Sequence, residues 1–383
     1  QNLPWWKPAG AFAIFAILNI GLNQFNSWAL KNDTFPGFHF PIFYTMSHML
    51  TSALAALLLL NVGPPPATGL PSWSQFWLYR FSLGPIAVCT SLNIGLNNAS
   101  LTMVSLFVNQ VIKACAPLPS MIFSYLFANK RYSYAIIASV LSICAGSVLA
   151  DFNNLLHGVD SKLLGVVLCL ISLLANALKP VIAMLIMDGS QTDRPKLPPS
   201  VVLFYDSSLS FCFMLVYWVC SNERAASIDY LVNGANTKLV NPALEGYNTT
   251  IVGLAIMIAG SLTAFFFNLS TYYFVSYTSA LTSTIGANLV KVILIVAAAI
   301  EAGVHDIVSW SGVALVVSSI GLYVYLSYKP PPSAAEREAF SSTIQNGCGK
   351  GGHNSGKGDA HGAQMMSQAA PSETTPLKGS STV

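Results

Sequence analysis

The chain has 383 residues and a formal net charge of +3, with 53% hydrophobic and 9% charged residues. Ordinary soluble domains carry roughly 25% charged residues, so this balance excludes a soluble globular protein and indicates an integral membrane protein. The small positive charge is spread along the chain without a Lys/Arg block, which argues against nucleic acid as a partner.

A spanning helix needs about 20 apolar residues to cross a hydrocarbon core of about 30 Å. Ten candidates follow one another along the chain. The first, 8–30, carries Asn19, Asn23 and Asn26 at i, i+4 and i+7. Amides in lipid are costly, so this stripe faces protein or water, either in interhelical hydrogen bonds or against a substrate. The second, 41–62, holds His48, which reads as a packed histidine rather than a proton relay. The third covers 76–97. The fourth, 104–127, contains Lys113, preceded by Ser105 and Asn109 at i−8 and i−4. Pro117 and Pro119 follow and loosen the helix, a feature tolerated where freed carbonyls line a cavity.

The fifth covers 134–150. In the sixth, 164–187, Lys179 shares a face with Ser172 and Asn176 but lies about 12 Å from the helix end. It can reach the interface from there, so its role is gating, snorkelling or substrate contact. The seventh, 200–220, contains Asp206, the one carboxylate set comparably deep. The eighth is 251–273. The ninth, 279–302, carries Lys291 with Thr284 and Asn288 at i−7 and i−3. The tenth is 307–328. From Lys329 onward the apolar pattern stops, and 329–383 reads as a disordered cytosolic tail.

The fold class is therefore an all-α integral membrane protein with ten transmembrane helices. Lys7, Arg80, Lys130, Arg131, Arg194, Lys196 and Lys329 fall on one side, and Lys31, Lys162, Arg224 and Lys238 on the other. Basic residues collect on the cytoplasmic side, which puts both termini in the cytosol. The sequons at Asn32 and Asn248 then lie on the opposite side, as candidate glycosylation sites. Because the chain opens at Gln1 rather than Met, targeting is not read from that end.

The ten helices divide into two sets of five, 1–150 and 164–328. Lys113 and Lys291 occupy corresponding positions 178 residues apart, Asn98 and Asn268 differ by 170, and Gly146 and Gly321 by 175. An odd number of helices per repeat inverts the second half, a construction of secondary transporters whose substrate sits near the midplane. Lys113 and Lys291 lie roughly 13 to 18 Å from their helix starts. An ionisable group at that depth marks a substrate path, and an excess of ammonium groups predicts an anionic, phosphorylated substrate. The alternative is structural lysines neutralised by Asp206 or by backbone carbonyls.

No catalytic or metal-binding motif such as HExxH or GxSxG is present, so an enzyme is not expected, and neither is a cofactor or metal. Six of the seven cysteines lie in apolar segments as small hydrophobes, without a disulfide framework or a CxxC spacing.

Phe25-Asn26, Phe38-His39-Phe40-Pro41, Asn98-Ala99-Ser100-Leu101 and Val111-Ile112-Lys113-Ala114 with Pro117 resemble the first half of the nucleotide-sugar and triose-phosphate transporters of the drug/metabolite transporter superfamily. Phe267-Asn268, Thr278-Ser279-Ala280-Leu281-Thr282 and Asn288-Leu289-Val290-Lys291 are similar to the second half. The resemblance covers about residues 8–328. It implies an antiporter exchanging a nucleotide sugar for a nucleoside monophosphate across the Golgi or endoplasmic reticulum membrane, with a homodimer as a possible assembly. Lys113, Lys291, Asn288, Asn109, Asn268 and Asn23 would bind the substrate.

In triose-phosphate transporters an arginine follows the second lysine, whereas Val292 stands here. Phe204-Tyr205-Asp206-Ser207 and Gly286-Ala287-Asn288-Leu289-Val290-Lys291 look like relaxed versions of two motifs of the GDP-mannose branch. By that likeness Tyr205 would stack on a base. Asp206 would accept hydrogen bonds from the base edge or act as counter-ion to a lysine. A plastid inner-envelope triose-phosphate or phosphoenolpyruvate/phosphate antiporter is the alternative, and a transport-dead membrane interaction protein a second one.

Overall fold

The computed structural model describes residues 6–30, 40–63, 68–101, 103–104, 106–150, 163–189, 194–233, 249–301 and 307–328, with Pro4 and Pro66. The tail and both sequon asparagines, Asn32 and Asn248, lie outside them. Every regular element among the described residues is a helix. They are α1 (Trp6–Leu30), α2 (Pro41–Val62), α3 (Trp73–Leu101), α4 (Leu106–Ala114), α5 (Pro117–Ala128), α6 (Tyr134–Ala150), α7 (Leu163–Asp188), α8 (Pro199–Cys220), α9 (Glu223–Asn233), α10 (Thr249–Tyr277), α11 (Ala280–Glu301) and α12 (Ile307–Tyr328).

Among the described residues, α1, α2, α7, α8, α10 and α12 contain segments long and apolar enough to cross a membrane, and α5, α6 and the first part of α11 are shorter apolar helices. Large apolar side chains such as Leu58, Phe81 and Tyr325 stand on the outside, at 65%, 75% and 62% exposure. A water-soluble protein rarely displays so much continuous apolar surface, and a bilayer stabilises it. Inside, one apolar cluster joins α2, α3, α7, α8 and α10 around Leu83, Ile86, Val181, Val201 and Leu203. A second joins α5, α6, α11 and α12 around Val140, Ile143, Leu281, Ile285 and Val316.

Two features depart from the run of apolar segments. The fourth expected span is broken into α4 and α5 at Cys115 and Ala116, because Pro117 and Pro119 have no N–H to continue the ladder. The extra helix α9 is short and polar, so a search for long apolar runs passes over it. It has a defined task. The first turn of α2 lacks a side-chain cap from Phe40, and Glu223 Oε2 accepts the N–H groups of Ile42 at 2.9 Å and Phe43 at 3.2 Å. A carboxylate suits that place, since it meets both the orphan donors and the positive end of the helix dipole.

The α6–α12 seam is close because two glycines face each other. A Cβ at Gly146 would lie 2.8 Å from Val316 Cγ2 and 3.0 Å from the Gly312 carbonyl oxygen. Gly321, the glycine matched to Gly146 by sequence offset, has nothing within 4 Å of a notional Cβ. The glycine that closes the seam is Gly312.

A candidate anion-binding site at a proline-broken helix

The site begins with backbone chemistry. In a continuous helix the carbonyl of Lys113 would accept from residue 117 and that of Ala114 from residue 118. Pro117 has no N–H, and Leu118 donates instead to Cys115 at 3.1 Å. Two carbonyls therefore lose their α-helical donors inside an apolar structure, where an unmet polar group is costly. Ala116 N offers Lys113 O a tighter bond at 3.2 Å. The remaining capacity is met from α11: Asn288 Nδ2 donates to Ala114 O at 2.5 Å and Lys291 Nζ to Lys113 O at 3.3 Å. Residues 174 and 178 positions apart in sequence are thereby brought onto one helix break.

Asn288 is 2% exposed, and its Oδ1 has no hydrogen-bond partner among the described residues. Lys113 is partly buried, and no described group hydrogen-bonds or ion-pairs with its ammonium. Val292 is 3% exposed and packs into the α5–α6–α11–α12 cluster. The position after Lys291 thus supplies packing rather than a second charge.

One turn before Lys113, the buried Asn109 uses its amide donor to tie three helices together. Nδ2 lies 3.1 Å from Asn97 Oδ1 and 2.9 Å from Ser100 Oγ on α3, and 3.3 Å from Cys169 Sγ on α7. The polar face of α7 continues from there. Ser172 Oγ donates to Asn93 O at 2.9 Å, and Asn93 Nδ2 donates to Asn176 Oδ1 at 3.4 Å. Three residues further, Lys179 Nζ forms an ion pair with Asp206 Oδ2 at 2.9 Å.

Asp206 is buried under a full set of donors. Oδ1 accepts from Thr90 Oγ1 at 2.8 Å and Ser210 Oγ at 3.1 Å, while Oδ2 also accepts from the Tyr272 hydroxyl at 2.7 Å. The Lys179 ammonium lies 5.5 Å from the centre of the Tyr272 ring. Asp206 is thus the counter-ion of Lys179, and its carboxylate is committed to protein donors rather than open to a base edge.

Of the other sequence candidates, Tyr205 is held by its hydroxyl. Tyr205 Oη accepts from Ser72 N at 2.9 Å and donates at Ser72 O, 2.9 Å, or Gln75 Oε1, 3.0 Å. Its ring lies beside Phe76 and Phe204, with centroids 6.3 and 5.4 Å away. It anchors α8 to the segment before α3. On α1, Asn23 Nδ2 bonds Asn19 Oδ1 at 2.6 Å, and Asn26 Oδ1 accepts from Tyr44 on α2 at 3.1 Å. Asn268 is partly buried on α10. His48 is packed at 6% exposure against the Tyr44 ring at 4.1 Å, and its Nε2 has no partner among the described residues. Thr90, Asn93 and Asn97 were not singled out in the sequence, although their spacing of three and four is a polar stripe as regular as the one on α1. Tyr272 carried no such signal.

A bundle of helices with apolar outer faces, broken where partners from another helix meet the freed carbonyls, suits a multi-pass membrane protein, and the family of the sequence makes it a transporter, not an enzyme. The sequence belongs to the Triose-phosphate Transporter family, whose profile matches residues 7–326. A probable sugar phosphate/phosphate translocator of Arabidopsis thaliana is 28% identical over 70% of this chain and 67% of its own length. The Arabidopsis UDP-uronic acid transporter 1 is 27% identical over 51% of this chain and 60% of its own. A nucleotide-sugar uncharacterized transporter 1 of the same plant is 32% identical over 39% and 36%. A crystal structure superposes with a TM-score of 0.54 at 12% identity, covering 84% of this chain and 97% of that one, and shows the shared fold.

Proposed function

We propose that the protein is a ten-span secondary antiporter that exchanges a nucleotide sugar for the corresponding nucleoside monophosphate, with Lys113 and Lys291 holding the phosphates near the midplane. The observation that carries this reading is the meeting of Lys291 with the broken helix beside Lys113, at 3.3 Å from that residue's carbonyl. The side chain of Lys291 thus reaches the backbone of the residue that carries the other ammonium. A compact ammonium with several donors suits phosphate oxygens.

The inverted-repeat reading, with halves 1–150 and 164–328, is supported by how the helices pair. Exchanging α1 with α7, α2 with α8, α3 with α10, α4–α5 with α11 and α6 with α12 turns the α3–α7 contact into α10–α1, and α2–α10 into α8–α3. It leaves α2–α8, α5–α11 and α6–α12 unchanged, and all of these pairs pack. Cytosolic termini are supported by basic residues converging at one end. There Arg194 donates to Leu78 O, and Lys130 Nζ lies 3.2 Å from Met184 Sδ. A Golgi or endoplasmic reticulum location follows from the nucleotide-sugar reading.

The buried Val292 favours a nucleotide-linked phosphate over a free phosphomonoester, because it leaves one cation fewer beside Lys291. A second reading, sugar phosphate against inorganic phosphate in a plastid inner envelope, is favoured by the sugar phosphate/phosphate translocators among the relatives. Both are tested by reconstituting the full chain in liposomes preloaded with nucleoside monophosphates or phosphate. Uptake of labelled UDP-, GDP- and CMP-sugars and of triose phosphate is then measured. Uptake only into loaded vesicles is expected, lost in Lys113→Ala and Lys291→Ala. Equal uptake into empty vesicles sinks the exchange reading, and unimpaired lysine variants sink the site.

A further inference from the structure

The Lys179–Asp206 pair takes no part in the two-lysine site, yet one polar track joins them. Cys169, Ser172, Asn176 and Lys179 recur on α7 at spacings of three, four and three, which keeps them on one helix face. Over about 15 Å of helix this face runs from Asn109, one turn from Lys113, to Asp206, with α3 amides paired along it. The two members of the ion pair differ in access. The Asp206 side chain is 4% exposed and surrounded by donors from Thr90, Ser210, Tyr272 and Lys179, whereas the Lys179 side chain is 21% exposed. The cation is therefore partly open to its surroundings, whereas the anion that neutralises it is enclosed.

We infer that Asp206 sets the charge selectivity of transport: as a fixed internal counter-anion it cancels Lys179 and so keeps a further ammonium from acting on the carried anion. The inference rests on the transport reading above. Its consequence has a sign. Neutralising Asp206 uncovers a positive charge and favours anions of higher charge. Removing Lys179 alone uncovers a negative charge and disfavours them. Removing both charges restores the balance. One additional unit charge about 10 Å from an extra substrate charge, at an effective dielectric constant of about 20, changes binding roughly ten- to twentyfold.

The test is the uptake ratio of a nucleoside diphosphate to the monophosphate of the same base, and of 3-phosphoglycerate to triose phosphate, in liposomes holding the full chain. Asp206→Asn is expected to raise each ratio that the wild type supports about tenfold. Lys179→Met is expected to lower it, and the double variant to return it to within about twofold of wild type. An unmoved ratio in Asp206→Asn, or a shift that persists in the double variant, overturns the inference. Where Asp206→Asn does not fold, Lys179→Met and the double variant decide, and equal ratios in the two overturn it. A wild type that carries none of these anions overturns the transport reading as well, whereas a wild type that carries them with unmoved ratios overturns this inference alone.

Discussion

Asn288 commits its donor to a carbonyl that the proline break has orphaned, and this makes its chemistry directional. Truncation in Asn288→Ala leaves Ala114 O buried without that partner, a loss of about 1–3 kcal/mol, visible as a lower apparent melting temperature in detergent. Asn288→Asp keeps the shape but sets a carboxylate oxygen against the carbonyl and beside two lysines, so a larger drop in exchange than for alanine is expected. Equal exchange in the two variants would show that the donor role of Asn288 is unimportant. Glu223 gives a second residue-scale expectation, outside the membrane-spanning helices. Burial raises its pKa above the ordinary carboxylate value, opposed by the Phe43 and Ile42 N–H groups. Between the unfolded value and the higher folded one the folded state holds more protons, so stability falls as pH rises through that window and is level above it. Glu223→Gln is expected to flatten the melting-temperature profile across that range. Glu223→Ala is expected to cost about 1 kcal/mol by uncapping α2.

Among the elements, the α4–α5 break is where sequence and structure inform each other most. Pro117 and Pro119 announce the break, because the missing N–H groups are a property of the residues themselves. The partners that α11 supplies, Asn288 and Lys291, are a property of packing, which local spacing does not encode. The same division runs through the rest of the molecule. Long apolar runs place the main helices to within a few residues, since the cost of burying backbone in lipid leaves few alternatives. The polar α9 leaves no such mark. Asp206 was legible as a deep carboxylate, but whether it faced a base or a lysine depended on α7 and α10 meeting α8. Tyr205 has the composition of a stacking residue, yet its hydroxyl belongs to Ser72 and Gln75. Pro117→Ala returns an N–H to compete with Lys291 for the Lys113 carbonyl. Displacing a binding group by about 1 Å can cost about a hundredfold, so exchange is expected to fall tenfold or more while the melting temperature holds or rises. A variant that exchanges at the wild-type rate would show that the break does not position the lysines.

At the scale of the whole molecule, the proposed exchange would make the empty and loaded carriers different objects through the charge of Lys113. Under that reading, moving between inward- and outward-facing states with the partly buried Lys113 ammonium unneutralised would mean carrying a charge through a low-dielectric interior. An uncompensated buried charge costs several kcal/mol. Under the proposed exchange the loaded carrier would avoid that cost because the phosphate would neutralise the site, and obligatory exchange would follow from this difference without any dedicated lock. The coupling should therefore loosen when the charge is removed. Lys113→Met, which keeps most of the length of the side chain without its charge, is expected to bind substrate more weakly and also to return empty more readily. The ratio of uptake into loaded over empty vesicles then falls toward one even as uptake into loaded vesicles declines. A loss of uptake with the ratio unchanged would assign Lys113 to binding alone and place the barrier to empty return elsewhere. The α6–α12 seam provides the contrast, because Gly146 and Gly312 act through close packing rather than charge. Gly146→Ala is expected to cost about 1–3 kcal/mol of stability through overpacking while leaving the loaded-to-empty ratio at its wild-type value. The loaded-to-empty ratio would then track the charge of the site and not the general stability of the bundle.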